Sequence, residues 1–375
     1  MNGEALRRRL EAWLHRIWFG PASASDRLLE SLTAPVLRPL SWIVAMMARR
    51  RRRQLQRTSA RTPGPAVIVI GNLVAGGSGK TPLVLALCKA LSTHGFQVGL
   101  IARGYRRSAD EPLLVDAGTP VRQAGDEALL LAQASGRPVA VCARRRAALQ
   151  LLMQHHPGLD VVLSDDGLQH TALPRRLELV VMHAKGLGNG RCLPAGPLRE
   201  PADRLDTVDA VLLPAPQSTA ATDGGTATHS RSGAPTYPTS TARPRYFHTR
   251  VQLTGIRTLD GSQCWSPEDF ATRFRSLPLA AVAGIARPER FFQSLTDLGL
   301  VAVTPYPLAD HAHIDADWLA ARPEPWIVMT AKDAVKCRLL APGLQQRCLV
   351  LEIEAVPEPA LLKWLIAELD VSRSS

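Results

Sequence analysis

The stretch GNLVAGGSGKTP, residues 71–82, directly follows the apolar run AVIVI at residues 66–70. In the common phosphate-binding loop, G-x-x-x-x-G-K-[ST], a glycine stands five residues before the glycine that precedes the lysine. Val74 occupies that position here, five residues before Gly79. The stretch is therefore close to a phosphate-binding loop but departs from its common form at one place.

Part of this stretch supplies candidate ligands of a nucleotide, namely Gly76, Gly77, Ser78, Gly79, Lys80 and Thr81. Glycines allow backbone N–H groups to turn toward an anion. Lys80 can reach the β- and γ-phosphates, and Thr81 can place its hydroxyl on Mg²⁺ at a helix N-terminus. The alternative is a glycine-rich turn with an incidental lysine. Because a strand pattern precedes the stretch and a helical pattern follows it, the nucleotide site is the favoured interpretation.

Short apolar runs recur from residue 65 onward and alternate with helical patterns. The runs are AVIVI (66–70), VGLIA (98–102), PVAVCA (138–143), LDVVLS (159–164), LELVVM (177–182) and AVLLPA (210–215). Each run is continuous rather than alternating, which is typical of strands buried on both faces of a parallel sheet. The sequence thus predicts an α/β fold of the P-loop NTPase type, with a mostly parallel sheet flanked by helices.

The chain divides by composition into four segments, residues 1–62, 63–215, 216–244 and 245–375. We interpret them as an N-terminal membrane-associating helical segment, a nucleotide-binding and catalytic domain, a low-complexity insert and a smaller α/β lobe. The insert contains almost no large apolar side chain, so it cannot bury enough surface to offset its ordering entropy and is expected to be disordered. Beyond it the strand, loop and helix rhythm resumes, which predicts the second lobe.

The formal charge of +12 is concentrated near the N-terminus, since residues 1–62 hold 13 Arg against 4 Asp or Glu. A diffuse basic surface would indicate nucleic acid, whereas a local basic segment beside apolar residues favours anionic lipid. The six cysteines form no C-x-x-C pair. This spacing argues against a disulfide framework and a zinc ribbon, and it indicates a reducing compartment. We therefore expect no nucleic-acid partner.

Two stretches within residues 10–53 suit a membrane surface. Apolar side chains recur at helical spacing at Leu10, Trp13, Leu14, Ile17 and Trp18. The second stretch, LTAPVLRPLSWIVAMMA, is followed by arginines at 49–53, and Pro35, Arg38 and Pro39 interrupt it. As a membrane span it falls short of about 20 uninterrupted apolar residues, but it suits an interfacial segment. An ordinary core helix followed by a solvated basic linker is the alternative.

Two acidic residues, Asp165 and Asp166, come at the end of the strand pattern in VVLSDDGLQH. Ligands bind at the carboxyl ends of the strands in open α/β sheets, so one of these carboxylates is a candidate for holding Mg²⁺ together with Thr81. The alternative is an acidic pair that caps a turn. His170 either serves the same cleft or lies on the surface.

Polar residues follow other strand patterns in the same way. Arg103, Tyr105 and Arg106 of ARGYRR could line a pocket for an anionic acceptor or could be structural ion-pair partners. Asp126 and Glu127 of GDEALLLA begin a helical pattern. First-turn carboxylates stabilise a helix dipole, so spacing alone leaves Asp126 open between a helix-terminal residue and a catalytic base.

Taken together, these motifs resemble one family closely, the tetraacyldisaccharide 4'-kinases, which phosphorylate a lipid A precursor. The matching motifs, in family order, are GNLVAGGSGKTP, ARGYRR, GDEALLLA, SDDGLQH, LPAGPLREP, GIARPERFF, DHAH and TAKDAVKC. The loop of this family has the form G-N-x-x-x-G-G-[ST]-G-K-T-P. Gly71 therefore takes the place of the missing glycine, and Val74 falls at a variable position.

The resemblance implies two α/β lobes with the active site between them, and it implies ATP and Mg²⁺ as cofactors. It also implies that Asp126 is the general base, that His311 from the second lobe supports it, and that Lys80 assists the transfer. The metal set is Thr81, Asp165 and Asp166. The candidate substrate-binding residues are Arg103, Tyr105, Arg106, His170 and Arg199, since arginines suit an acceptor that already carries a phosphate. Each of these arginines, Arg199 included, could instead be a structural ion-pair partner.

Two positions depart from the usual family pattern. DHAH stands where DHH often occurs, so adjacency to Asp310 favours His311 over His313 as the supporting histidine. Ala331 stands where an acidic residue is expected, so no role is predicted there.

We thus expect a peripheral kinase on the cytoplasmic face of the bacterial inner membrane. It would transfer the γ-phosphate of ATP to the 4'-hydroxyl of a tetraacylated glucosamine disaccharide 1-phosphate, giving lipid IVA. Its expected partners are that lipid and anionic membrane lipid at residues 10–53, without an obligate protein partner. The alternative is a membrane-associated P-loop NTPase that acts as a switch or binds a partner, with Asp126 positioning water.

Overall fold

The structure of the protein, a computed structural model, describes residues 13–20, 23–58, 64–76, 79–105, 107–215 and 244–373. Several features named above lie outside these ranges: Leu10, Gly77, Ser78, Arg106 and residues 216–243 of the insert. The predictions that fall on them therefore stay predictions.

Helices and strands alternate over most of the chain. The helices are α1 (13–19), α2 (Ala24–Thr58), α3 (Lys80–Thr93), α4 (Val121–Ala124), α5 (Asp126–Ser135), α6 (Arg145–His155), α7 (Pro267–Phe274), α8 (Pro288–Asp297), α9 (Ala316–Ala320), α10 (Ala331–Ala334), α11 (Pro342–Arg347) and α12 (Pro359–Arg373), with a 3-10 helix at Ala202–Thr207. The strands are β1 (Ala66–Gly71), β2 (Val98–Ala102), β3 (Leu113–Val115), β4 (Val139–Val141), β5 (Val161–Asp165), β6 (Leu177–Val181), β7 (Ala210–Pro214), β8 (Arg245–Thr258), β9 (Cys264–Trp265), β10 (Leu279–Ala283), β11 (Val303–Pro307), β12 (Trp326–Thr330) and β13 (Cys348–Pro357).

The strands form one continuous sheet in the order β11-β10-β12-β13-β8-β7-β6-β1-β5-β2-β4-β3, and β9 pairs with β8. The strands from β8 to β4 in that order are parallel, and the edge strand β3 is antiparallel to β4. In the C-terminal part, β13, β12, β10 and β11 are parallel to one another. The long strands β8 and β13 are antiparallel and join the two parts.

Burial explains why the six predicted runs form strands. In β1, Ile68 and Ile70 pack into one core cluster, while Val67 and Val69 pack into another on the opposite face. A continuous apolar run is what a strand needs when helices cover both faces of the sheet. The predicted α/β fold with a mostly parallel sheet is confirmed.

The N-terminal helix α2 continues through both prolines that interrupt the apolar sequence. It runs unbroken for 35 residues, with Pro35 and Pro39 inside it. Both prolines are exposed. Because they are four residues apart, the ladder hydrogen bonds that they remove lie on one side of the helix. The interruption in the sequence is therefore not an interruption of the helix.

Only part of α2 contacts the rest of the protein. The buried Ser41 hydroxyl donates to the carbonyl of Cys192 at 2.7 Å, and Arg191 pairs with Glu30 at 2.8 Å. An apolar surface of α2 is exposed: Leu28, Leu32, Val36, Leu40, Trp42, Ile43, Met46 and Met47. Within the segment Glu30–Arg53 of α2, an 18-residue window has a mean hydropathy of 1.3 and only 6% of it is buried, so by length and composition the helix could cross a membrane. The same criterion is met by some core helices of soluble proteins and by signal sequences.

Candidate active site

The loop after β1 is built around Asn72, whose side chain is fully buried. Its amide Nδ2 donates to the carbonyls of Val74 at 2.6 Å and Gly76 at 3.2 Å, and its Oδ1 accepts a hydrogen bond from Lys80 Nζ at 3.1 Å. One side chain thus fixes both the course of the loop and the position of the lysine. This explains physically why an asparagine follows the first glycine of the stretch.

The unusual position of the first glycine also has a structural reason. A Cβ added at Gly71 would lie 2.6 Å from Cβ of Leu168, so a side chain does not fit there. Val74 is buried and forms a β-bridge with Leu198, which gives an apolar residue a packing role at the site of the common glycine. At the end of the loop, Gly79 has φ 76°, a left-handed conformation that glycine adopts without strain.

Thr81 and Asp165 form the candidate metal site. The Thr81 hydroxyl donates to Asp165 Oδ2 at 3.1 Å. The other oxygen, Oδ1, is buried without a hydrogen-bond partner in the part of the chain that the structure describes. Burial and the nearby charge of Glu127 raise the pKa of Asp165 to about 6. A buried carboxylate with a spare oxygen beside a hydroxyl fits a Mg²⁺ ion, which typically takes one or two carboxylates and completes its shell with phosphates and water.

No denser metal centre competes with this site in the described ranges, where no group of three or more His, Cys, Asp or Glu side chains is arranged to hold an ion. The donor set suits a nucleotide-associated Mg²⁺ and not a site made wholly of protein ligands.

Asp166 faces two cations. Its carboxylate lies 3.3 Å from Lys80 Nζ and accepts from Arg199 Nη1 at 3.0 Å. Burial raises the pKa of Asp166, but the charges of Lys80 and Arg199 outweigh burial and hold the pKa at about 2. The two adjacent carboxylates therefore differ sharply in charge environment. Arg199 was predicted to bind substrate, and in the structure it is paired with Asp166.

Asp126 and His311 meet across the two parts of the sheet. Nδ1 of His311 lies 2.9 Å from Oδ1 and 2.8 Å from Oδ2 of Asp126, and Asp126 is buried. Burial raises the pKa of Asp126, but the His311 hydrogen bond and the charges of Lys332 and Lys336 outweigh burial and lower the pKa below its ordinary value. Asp126 is thus ionised at neutral pH. The predicted pairing of these two residues is present in the structure, and their catalytic role stays a prediction.

Backbone strain also marks the site. In the described ranges, a positive φ outside glycine occurs at Asp166, with 49°, and at His311, with 60°. Such conformations cost on the order of 1–3 kcal/mol each and tend to cluster at active sites. Both residues are among those selected from the sequence.

Three other candidates lie beside this pair or the metal site. The rings of Tyr105 and His311 are 4.8 Å apart, and the Arg103 guanidinium lies 5.8 Å from the centre of the Tyr105 ring. Burial lowers the pKa of His170 to about 4, and the nearby charges of Arg145 and Arg103 act in the same direction, so His170 is neutral. His170 is half-buried and has Asp166 and Arg103 among its charged neighbours, and its role in substrate binding stays a prediction.

Three basic residues of the site were missed by the sequence analysis. Arg145, 1% exposed, donates to the carbonyls of Cys142 at 2.9 Å and Asp165 at 3.2 Å. Lys332 Nζ lies 3.2 Å from His311 Nε2, and Lys336 Nζ lies 3.8 Å from Asp126 Oδ2. Both lysines belong to the motif TAKDAVKC, so the family resemblance could have identified them as site residues.

A cavity of about 190 Å³ lies between the C-terminal half of α2 and the segments that follow β5 and β6. It is lined by Val44, Met47, Ala48, Arg51, Arg52, Leu168, Gln169, Thr171, Arg199, Glu200 and Arg204. Apolar and charged side chains occur on both sides. Three of the four arginines have carboxylate partners: Arg52 lies 3.6 Å from Asp203, Arg199 pairs with Asp166, and Arg204 pairs with Glu178 and Glu200.

The fold and the site together define a P-loop protein in which Asn72 and Asp166 position Lys80, and in which a carboxylate and imidazole pair is buried where the two parts of the chain meet. Phosphoryl transfer depends mainly on positioning and electrostatic stabilisation, and these residues can supply both. The class is therefore that of P-loop proteins equipped for phosphoryl transfer.

Comparison with known proteins assigns the family. Residues 33–370 match the family described as Tetraacyldisaccharide-1-P 4'-kinase. The tetraacyldisaccharide 4'-kinase of Azotobacter vinelandii is 42% identical over 355 residues, covering 92% of this chain and 97% of that protein. That of Ectopseudomonas mendocina is 40% identical over 357 residues, covering 92% and 98%. The chain belongs to the tetraacyldisaccharide 4'-kinase family, which confirms the resemblance.

A solved structure shares the fold. The crystal structure of LpxK from Aquifex aeolicus in complex with ATP superposes with a TM-score of 0.70 and 24% identity, and the match covers 91% of this chain and 99% of that one. The likeness extends over both parts of the sheet, which confirms the predicted fold class.

Proposed function

We propose that the protein transfers the γ-phosphate of ATP to the 4'-hydroxyl of a tetraacylated glucosamine disaccharide 1-phosphate. The observation that carries the proposal is the buried pair of Asp126 and His311, at 2.8 Å, in a member of this kinase family. The pair could also position water in an NTPase, so membership of the kinase family is what favours a hydroxyl acceptor. The ATP in the Aquifex aeolicus structure supports the choice of donor.

The chain's own residues account for the donor side of the reaction. Lys80, positioned by Asn72 and Asp166, neutralises charge on the transferred phosphoryl group. Thr81 and Asp165 would hold Mg²⁺, which when bound supplies charge neutralisation and orients the phosphates. Arg145 stabilises the segment that carries Asp165 by donating to its carbonyl.

Asp126 accounts for the acceptor side. It is ionised, buried and hydrogen-bonded by His311, so it can accept the proton of the attacking hydroxyl as the new O–P bond forms. The bond between the γ-phosphorus and its bridging oxygen breaks, and its electron pair leaves with ADP. Arg103 and Tyr105 lie on the same side and would orient the sugar.

The cavity beside α2 supports a phosphorylated and acylated acceptor. Met47 and Leu168 supply apolar contact, while Arg51 and Arg52 can pair with a phosphate. The cavity borders Arg199, which contacts Asp166. We assign the acceptor's phosphate-bearing end to this neighbourhood.

The direct test is acceptor dependence. Purified protein with ATP and Mg²⁺ is expected to release ADP at least about 100-fold faster when tetraacyldisaccharide 1-phosphate is present, because a positioned acceptor hydroxyl replaces water. The measurement couples ADP release to mass spectrometry of the lipid, which should gain one phosphate. Equal ADP release with and without lipid would favour the membrane-associated NTPase switch instead.

We further propose that α2 holds the enzyme on anionic lipid at the cytoplasmic face of the inner membrane. No described residue outside α2 covers its exposed apolar side chains, and arginines 49–53 follow them. Apolar insertion together with charge pairing is the usual basis of such attachment.

Replacing Leu32, Val36 and Trp42 with glutamine should weaken this attachment. The three side chains are 68%, 64% and 65% exposed, so the fold is expected to tolerate the change. If each side chain contributes about 1.5 kcal/mol on insertion, partitioning onto anionic vesicles should fall about 10³-fold in a sedimentation assay.

Leu339→Gln with Val301→Gln is the matched control, because these apolar side chains are 100% and 70% exposed but lie outside α2. Unchanged sedimentation of the α2 variant would show that this surface does not carry the attachment.

A further inference from the structure

Lys332 has an unusual set of contacts for a lysine that is 19% exposed at its side chain. Its Nζ lies 3.1 Å from Glu127 Oε1, 3.2 Å from His311 Nε2 and 3.4 Å from Asp310 Oδ1. An ammonium group has three N–H donors and no acceptor, and three acceptors face it here. Burial lowers the pKa of Lys332, but the charges of Glu127, Asp126 and Asp310 outweigh burial and raise the pKa above its ordinary value. The group therefore stays an ammonium ion.

The contact with His311 has a direct chemical consequence. Because Lys332 can only donate, Nε2 of His311 must be the acceptor and carry a lone pair. The ring proton is then on Nδ1, the nitrogen that lies 2.9 Å and 2.8 Å from the oxygens of Asp126. A protonated imidazole would instead place an N–H and a second positive charge 3.2 Å from the ammonium. Lys332 thus selects the neutral Nδ1–H form of His311.

We propose that Lys332 is a positioning residue that fixes the tautomer of His311. As a result Asp126, and not His311, accepts the proton of the attacking hydroxyl. This inference rests on the proposed function, since it concerns the base of that reaction. When Asp126 accepts the proton, His311 keeps its own proton on Nδ1 and remains a donor to the same carboxyl group. Without Lys332, no described donor faces Nε2, so the ring can carry its proton on Nε2, where the Asp310 carboxylate lies 3.6 Å away, and the Nδ1–H hydrogen bond to Asp126 is then lost.

A variant of a second lysine, Lys336, can separate the effect of a positive charge near Asp126 from the effect of the His311 tautomer. Lys336 Nζ lies 3.8 Å from Asp126 Oδ2 and is held by the fully buried Asp333 at 2.8 Å. Lys336 shares with Lys332 a positive charge near Asp126. The described contacts of Lys336 are with Asp126 and Asp333, and none is with the imidazole. Lys336→Met is therefore the matched comparison for Lys332→Met.

The groups that face His311 come from every element packed around it. They are Asp126 and Glu127 of α5, Tyr105 with Arg103 from the loop after β2, Asp310 from its own loop, Lys332 of α10, and Lys336 just beyond α10. Among them Lys332 alone has a described contact with Nε2 in which it must be the donor; the other described neighbour of Nε2 is the Asp310 carboxylate at 3.6 Å. Removing that donor is thus expected to change the imidazole more than removing any other neighbour.

The experiment records long-range proton–nitrogen spectra of full-length protein labelled with ¹⁵N-histidine, together with kcat and KM at neutral pH. In the wild type, His311 should show a protonated Nδ1 and an unprotonated Nε2. In Lys332→Met, Nε2 loses the donor that faces it, so the spectra should no longer show the Nδ1–H form alone, and protonation should appear at Nε2. We expect kcat at neutral pH to fall about 10- to 100-fold, the size found for groups that orient a metal-bound histidine.

Two further variants complete the test. Lys332→Arg keeps a charged donor and should restore the Nδ1–H form, whereas Lys336→Met should leave that form unchanged. Glu127→Gln removes one carboxylate that holds the ammonium, so it should shift the tautomer in the same direction as Lys332→Met even if that variant fails to fold.

An unaltered His311 spectrum and an unaltered kcat in Lys332→Met or Glu127→Gln would overturn the inference alone. Absence of lipid phosphorylation by the wild type would reject the proposed function, whatever the spectra show.

Discussion

Replacing Asp126 with asparagine is expected to lower kcat about 10³-fold, within the range of about 10²- to 10⁴-fold that a general base contributes. Asparagine keeps the size of the side chain but removes the basic oxygen. Binding of ATP should change little, because Asp126 contacts His311 and Lys336 and forms no hydrogen bond or ion pair with the described residues of the loop that cradles the phosphates. The measurement is kcat and KM for both substrates, which separates the chemical step from binding.

His311→Ala should have a similar effect, and the double variant should be little worse than the more damaging single one. The two side chains are 185 residues apart in sequence, but His311 Nδ1 lies 2.8 Å from Asp126 Oδ2 and a hydrogen bond joins them. Residues that act as one unit give strongly non-additive losses. A cycle of the two single variants and the double variant measures that coupling.

Matched controls lie on the surface. Asp116→Asn and His94→Ala change the same residue types where both residues are exposed, and neither should alter kcat. Losses from Asp126→Asn and His311→Ala that multiply in the double variant would show that the two residues do not act together.

The sequence was sufficient to predict features in which neighbouring residues share one environment. The run AVIVI predicts β1 because all of its side chains are needed in a core, whichever face they reach. The long strand β8 was not predicted, since its exposed and buried residues follow no simple period and its partner β13 lies about a hundred residues away. Pairing across such a distance leaves no local pattern.

The residues of the candidate site, likewise, could not all be predicted from local sequence. Arg145 is one of three successive arginines at 144–146, and the start of α6 decides which of them points inward. Arg145 is 1% exposed, while Arg144 is exposed. Asp126 and His311 were selected through the family resemblance, because spacing alone left Asp126 open. Their distance and the partners of His311 emerge only from the fold.

The neighbouring carboxylates Asp165 and Asp166 should have opposite effects on stability when each is changed to asparagine. Asp165 has a folded-state pKa of about 6 against an ordinary 3.8. As pH rises from about 4 to about 6, the unfolded chain loses this proton first, so folding becomes less favourable. At neutral pH the ionised group costs up to about 3 kcal/mol, and Asp165→Asn should recover most of it.

Ionisation of Asp166 has the opposite effect on the stability of the fold. Its folded-state pKa is about 2 against an ordinary 3.8, so its stabilising effect is present above about pH 4 and disappears as pH falls through about 2. Asp166→Asn loses the pairs with Lys80 and Arg199 and should lower the free energy of unfolding by about 2 kcal/mol at neutral pH. Urea unfolding without nucleotide or Mg²⁺ measures both variants under identical conditions.

The activity of Asp165→Asn should change in the opposite direction to its stability. Asp165→Asn is expected to be more stable than the wild type and yet about 100-fold less active, the upper end of what loss of a group supporting a metal site usually costs. A stabilised but inactive protein indicates that the buried charge is kept for catalysis at the expense of the fold. Its stability gain should shrink as the pH is lowered from about 7.5 to about 5, because the wild-type carboxyl then becomes protonated. A gain that does not depend on pH, or a loss of stability in both variants, would mean that Asp165 is not the strained carboxylate of the pair.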